Sequence, residues 1–306
     1  MRNIALSNFF FIIFSLFVVT FINPIISIVL GIFFASIYKV KANTISKKIS
    51  SYPLQIGIVL LGLTISADSL IPVVKDYFIW VSFFVIFSFF MSYLLGLLMG
   101  LDNKLNLLIS SGLSICGATA MAIAAPLIKA KPNTLLIALA IIFILNSVAI
   151  ILFPIFGTYL NMNNYEFGIF SALAIHDTGL VIGSALQFSD NSVEVATSLK
   201  ILRTLWLIPL IVFLNSKFDT SNVINSFPVF IIFFIIAVIF SNLMSFSYEA
   251  IEYLKIISKI FISYGIFTIG LQSAKLDLSE FRSKPFIVAI SVWLIVIPLA
   301  YVVAIN

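Results

Sequence analysis

A histidine and an aspartate stand side by side in the run Ala174-Ile175-His176-Asp177-Thr178-Gly179, and this histidine is the only one in the chain. The apolar segment that carries the pair, Phe167 to Phe188, is long enough to cross a bilayer. An ionisable group at membrane depth costs roughly 2.5–3.5 kcal/mol on insertion scales, so it faces a water-filled cavity or a polar partner. Histidine titrates near neutrality and aspartate binds a proton or Na⁺, so either suits coupling of transport to an ion gradient. Neighbours on a regular helix point about 100° apart, and the pair converges on one ligand only if the helix unwinds at Thr178-Gly179. The alternative role is structural, a pair bonded to backbone freed by a helix break.

Two cations add to this. Lys200 and Arg203 lie three residues apart, on one helical face, deep in the span Val193 to Leu214. Three readings stay open: an anion site in which Arg203 offers its planar fork to sulfate, sulfonate or carboxylate, an internal pair with Asp177, or snorkelling interface anchors. A second polar break, Ser114-Ile115-Cys116-Gly117-Ala118-Thr119, offers hydroxyls and, once the helix is broken, free amides. The N-terminus of a half-helix is an anion site. The candidate substrate ligands are therefore Ser114, Cys116, Gly117, Thr119, His176, Thr178, Lys200 and Arg203. Candidates for ion coupling are Asp177, His176 and Asn146, the last also reading as a plain interhelical hydrogen bond. A reading of another class makes Cys116 and His176 the centre of an intramembrane enzyme, but a lone cysteine in an apolar chain is ordinarily inert packing.

The elements that must position these residues are membrane helices. Of 306 residues, 62% are hydrophobic and 9% charged, and the mean hydropathy is +1.21. A soluble domain averages about 25% charged residues. The segments run to helix length without the alternation of barrel strands, which makes the chain an all-α polytopic membrane protein. The net charge of +5 sits in short loops, where lysines orient a membrane protein, and is no nucleic-acid signal. One cysteine allows neither an intrachain disulfide nor a cysteine-cluster metal site. No cofactor is called for beyond H⁺ or Na⁺, and the absence of a Gly-x-x-x-x-Gly-Lys-Ser/Thr loop argues against ATP coupling.

Along the chain, Ile4 to Tyr38 divides into two spans at Asn23-Pro24 and leads to Lys39, Lys41, Lys47 and Lys48. By the positive-inside rule that loop and the N-terminus are cytoplasmic. The first stretch has no A-x-A-like cleavage site and reads as a retained helix. Further spans are expected at about Leu54–Leu70, Tyr77–Leu98, Leu105–Ile128, Thr134–Phe153, Phe167–Phe188, Val193–Leu214, Phe227–Met244, Ile262–Gln272 and Pro285–Ile305. The loop before Tyr77 carries Asp68, Lys75 and Asp76, and a polar stretch from Glu249 to Lys259 separates two of the later spans. The glycine-bearing segments at 105–129 and 167–188 read as broken or re-entrant helices, tolerated where they line a cavity. That gives about ten or eleven membrane segments in a single domain, 1–306.

Gly57-Ile58-x-x-x-Gly62-Leu63 recurs as Gly265-Ile266-x-x-x-Gly270-Leu271 in segments of opposite expected direction. The pair marks an inverted repeat, 54–130 against 165–306, or else small residues that merely pack helices.

The blocks Ser114-Ile-Cys-Gly-Ala-Thr-Ala120, Ile175-His-Asp-Thr-Gly179 and Val195-Ala-Thr-Ser-Leu-Lys-Ile-Leu-Arg-Thr204, with Gly57 to Leu63, resemble the signature blocks of the YeiH-type membrane proteins, often labelled sulfate exporters. The usual His-Asp-Thr-x-Gln pattern departs here, where Gly179-Leu180 stands instead. The resemblance implies the cation–proton antiporter and anion transporter superfamily, with NhaA-like or bile-acid-symporter-like folds, discontinuous helices crossing at the midplane, alternating access and homodimers. It points to a secondary active transporter of a small anion in a bacterial inner membrane, with a cation/proton antiporter using Asp177 as the alternative. On this reading Arg203→Ala abolishes anion binding and leaves the protein folded.

Overall fold

The computed structural model describes residues 15, 17, 18, 20, 21, 23–38, 47–65, 67–218, 229–244, 246–271 and 284–306. The expected first span and the loop residues Lys39 and Lys41 fall largely outside them, as does Gln272. Among the described residues every regular element is a helix: α1 Pro24–Tyr38, α2 Lys47–Gly62, α3 Ala67–Leu98, α4 Asn103–Ser114, α5 Ala118–Leu127, α6 Pro132–Tyr159 and α7 Asn164–Ala174. They continue as α8 Thr178–Phe188, α9 Ser192–Leu205, α10 Leu207–Phe218, α11 Val229–Met244, α12 Tyr248–Leu271 and α13 Lys284–Ile305. Five helical runs, 71–98, 133–159, 192–218, 248–271 and 284–305, are long and apolar enough to cross a membrane. Phe78, Ile79, Trp80, Phe83 and Phe90 on α3 are exposed, the surface a lipid environment requires.

Two expectations about boundaries change. Asp68, Lys75 and Asp76 belong to α3 and not to a loop, and the helix runs on through Pro72 inside it. The polar stretch Glu249 to Lys259 is helical within α12, where Glu252 and Lys255 form an i, i+3 ion pair of 3.0 Å.

The chain folds into two compact units. The first holds residues 1–69 and 229–276. Its helices meet at glycines, and the two copies of the recurrent motif face each other. A Cβ on Gly57 would lie 2.7 Å from Ile262, and one on Gly265 would lie 2.6 Å from Leu54. Each glycine thus packs three residues before its counterpart. The second glycine of each motif meets a different helix: Gly62 lies against Phe234 and Ala237 of α11, and Gly270 against Ile28 and Gly31 of α1. Ser258 and Ser241 donate to the main-chain oxygens of Gly57 and Leu63 at 2.7 and 2.6 Å, closing the same contacts with polar bonds.

The second unit, residues 70–228 and 277–306, contains both polar breaks. Each broken segment doubles back. Lys104, at the start of α4, donates to the main-chain oxygen of Lys129, just past the end of α5, at 2.8 Å. A helix continuing through residues 104–129 would hold those positions more than 30 Å apart at about 1.5 Å per residue. Gly112 packs on Met121 across the same turn. In the other segment Phe167 of α7 stacks on Phe188 of α8 with centroids 4.0 Å apart. Both are therefore re-entrant helical hairpins, where the family resemblance implies helices that cross.

The hairpins enter from opposite ends of this unit. Helix α6 starts at Pro132, beside the base of the first hairpin, and ends at Tyr159, beside the base of the second. Its 28 residues span roughly 40 Å.

Candidate functional site

The tips of the two hairpins touch. Gly117 caps α5 with φ 58 and ψ −118, a region open to glycine but strained for other residues. A Cβ there would lie 3.4 Å from Ile142 and 3.5 Å from the backbone nitrogen of Asp177, ordinary contact distances, so the backbone conformation and not lack of space calls for glycine. Asp177 caps α8, its Oδ1 accepting from the Leu180 N–H at 3.1 Å. Asn146 of α6 accepts from the His176 N–H at 3.0 Å, which fixes the second tip to the long helix between the hairpins.

Lys200 and Arg203 project from α9 onto the carbonyl ends of both half-helices. Lys200 Nζ donates to the oxygen of Ile115 at 3.1 Å and to that of Ile175 at 2.8 Å. Arg203 donates from Nε to Ser114 at 2.8 Å, from Nη2 to Leu113 at 2.8 Å, and from Nη1 to Leu173 at 2.7 Å and Ala172 at 3.2 Å. The one remaining carbonyl, that of Ala174, accepts from Trp293 Nε1 of α13 at 3.0 Å. Trp293 itself stacks on Phe153, centroids 5.5 Å apart. Helix C-termini leave carbonyls unsatisfied and carry about half a negative charge each. Here two fully buried cations and one indole satisfy them.

Full burial replaces the reading of Lys200 and Arg203 as snorkelling anchors, and among the described residues neither cation forms a direct ion pair with Asp177. Four of the five guanidinium N–H groups are held by main-chain oxygens, so the Arg203 fork is not free to take an oxyanion. The physical reason is that a helix broken inside a membrane needs cations at its carbonyl ends, and these two reach both.

The amide ends differ from each other. Asp177 fills that of α8 with its own carboxylate. Gly117 gives α5 no side-chain cap, while Ala118 is exposed and Thr119 half-buried. Asp177 is half-buried at the same place, and Thr178 is 8% exposed. Ser114 turns its hydroxyl back to the Ser111 oxygen at 3.2 Å. Cys116, 1% exposed, and His176, fully buried, lie within the tips. Neither ring nitrogen of His176 meets a hydrogen-bond partner among the described residues.

Sequence reasoning missed Trp293. Its signal was a tryptophan at the centre of an apolar span, where a buried indole N–H needs an acceptor.

Comparison with known proteins gives a family. A family model described as "Conserved hypothetical protein 698" matches residues 5–289. A UPF0324 membrane protein of Photobacterium profundum is 30% identical over 293 residues, covering 94% of this chain and 89% of that protein. A UPF0324 membrane protein of Bacteroides thetaiotaomicron is 31% identical, covering 90% of this chain and 84% of the relative. One from Streptococcus agalactiae is 30% identical, with 89% and 86% covered. No solved structure matches the chain.

Proposed function

The chain belongs to the UPF0324 family of membrane proteins, described as conserved hypothetical protein 698, and from that premise we propose that it is a secondary active transporter of a small anion. Sulfate, sulfite, a sulfonate or a carboxylate is the substrate class, carried by alternating access with H⁺ or Na⁺ coupling and no catalysis. One observation carries the reading. Buried cations satisfy the carbonyl ends of both hairpins, while the amide end of α5 has no side-chain cap and opens at Ala118. Amide N–H groups at a half-helix N-terminus favour an anion, most of all at membrane depth where water does not compete. Thr119 supplies a hydroxyl, and Lys200 and Arg203 contribute positive potential from behind the tips.

The test is a thermal-shift screen of purified protein against sulfate, sulfite, taurine and short carboxylates. A ligand bound only by the native state raises the melting temperature. Ala118→Asp places a carboxylate on the amide end and stabilises the helix itself by about 0.3–1 kcal/mol. It is expected to fold and to lose the anion response. An anion that still stabilises Ala118→Asp as it does the parent would sink the assignment of this end.

A second reading draws on Asp177, half-buried at the same tip: a cation/proton antiporter with Asp177 as its ion site. It expects Asp177→Asn to lose transport and every anion to leave the melting temperature unmoved.

Charge sets the orientation we propose. The base of the first hairpin bears Lys104, Lys129 and Lys131, and Lys217 lies over Tyr93 at that end. The base of the second bears Glu166, Asp190 and Glu194, with Tyr77 beside Tyr165 bringing Asp76 to it. The lysine end is cytoplasmic by the positive-inside rule, in a bacterial inner membrane and, on the family resemblance, as a homodimer. In a Cys116→Ser background, Asp190→Cys should react with an impermeant maleimide on intact spheroplasts, and Lys131→Cys only after permeabilisation. The reverse pattern would invert the topology.

A further inference from the structure

We infer that Lys200 and Arg203 stand where a coupling metal ion would sit, so that anion transport by this protein needs no Na⁺. The inference rests on the anion-transport reading and narrows its coupling.

Where discontinuous helices form a membrane site, their amide ends face anionic groups, and their carbonyl ends and unwound carbonyls coordinate Na⁺ or H⁺. At these two tips the carbonyl ends are already occupied. The oxygens of Leu113, Ser114, Ala172 and Leu173 accept from Arg203, and that of Ala174 accepts from Trp293. The oxygens of Ile115 and Ile175, one from each tip, converge on the Lys200 ammonium at 3.1 and 2.8 Å. A hard cation is held by several oxygens at once. The oxygens that converge here, from two hairpins entering from opposite ends, converge on a cation that belongs to the chain and stays with it. A second cation at those oxygens would meet two fixed charges, both fully buried.

The charge balance agrees. Two C-terminal ends contribute about −0.5 each, and two N-terminal ends about +0.5 each. With Lys200, Arg203 and Asp177 in their ionised forms, the tips carry about one positive charge, which a bound monoanion neutralises without a metal ion.

The test compares melting in NaCl and in choline chloride at constant chloride, with and without zwitterionic taurine or the choline salts of sulfate, sulfite and acetate. The wild-type midpoint is expected to agree between the two chlorides within about 1 °C, and any anion-induced rise to be the same in both. Lys200→Gln removes the charge and frees the oxygens of Ile115 and Ile175, so it is expected to gain stabilisation by Na⁺ of about 3 °C that the wild type lacks. Na⁺ stabilisation of the wild type, or a folded Lys200→Gln indifferent to Na⁺, would overturn the inference. Should that variant fail to fold, uptake by wild type in proteoliposomes decides: within about twofold on replacing Na⁺ with choline supports it, and a tenfold loss overturns it. A screen in which no anion acts removes the anion reading, while the comparison of chlorides still judges whether Lys200 holds the cation position.

Discussion

Arg203→Ala is expected to lower the melting temperature by about 10 °C or to leave no folded protein. The side chain is fully buried and bonds four carbonyls from two hairpins, so its removal strands four main-chain oxygens at once. Removing one member of a buried charged network costs about 3–5 kcal/mol, and each kcal/mol moves the midpoint of a domain this size by about 2–4 °C. The consequence differs from the one expected on sequence alone, where Arg203→Ala loses an anion and keeps its fold. Arg203→Lys keeps the charge without the planar fork, and should fall between Arg203→Ala and the parent because three donors on one nitrogen cannot reach the four carbonyls that the fork spans. Melting of Arg203→Ala within 2 °C of the parent, roughly the span of a surface change, would show that the carbonyl contacts carry no stability.

The second large effect belongs to the glycine contacts of the first unit. In Gly270→Val, the new Cβ would lie 2.6 Å from the Ile28 oxygen and 2.9 Å from the Gly31 Cα, both backbone atoms that cannot rotate away. Gly31 faces Phe267 and Gly270 in the same way, so neither helix has slack to give. Forcing α1 and α12 apart should cost about 3 kcal/mol or more, beyond ordinary overpacking, because close approach of small residues is what associates helices in lipid. The readout is the yield of monodisperse protein in detergent together with its melting midpoint. A variant that purifies and melts like the parent would mean that this contact does not hold the unit together.

Much of this was legible in the sequence, for identifiable reasons. Span length and apolarity mark the helices because the bilayer demands both. The two breaks are visible because Gly117 and the His176-Asp177-Thr178-Gly179 run are poor interior residues for a membrane helix. That each break turns back was not legible. A kink and a reversal use the same local residues, and the contacts that separate them, Lys104 to Lys129 and Phe167 to Phe188, join positions more than twenty residues apart. The partners of Arg203 were hidden for a different reason. They are main-chain oxygens, which every residue has, so residue type carries no signal of them. The polar run from Glu249 to Lys259 reads as a break on charge alone, while an ion pair at i, i+3 lets a helix continue through it.

Cys116 is the only thiol in the chain, and it lies inside the tip of the first hairpin at 1% exposure. The unaltered protein therefore carries its own clock. A thiol reagent can modify a molecule only while that tip is displaced, so at reagent concentrations where labelling outpaces reclosing the rate counts openings per second without any engineered probe. On the transport reading proposed above, a bound anion would slow the count by the fraction of molecules it holds closed. The concentration that halves the rate is then an affinity, measured at the site itself and in a native membrane.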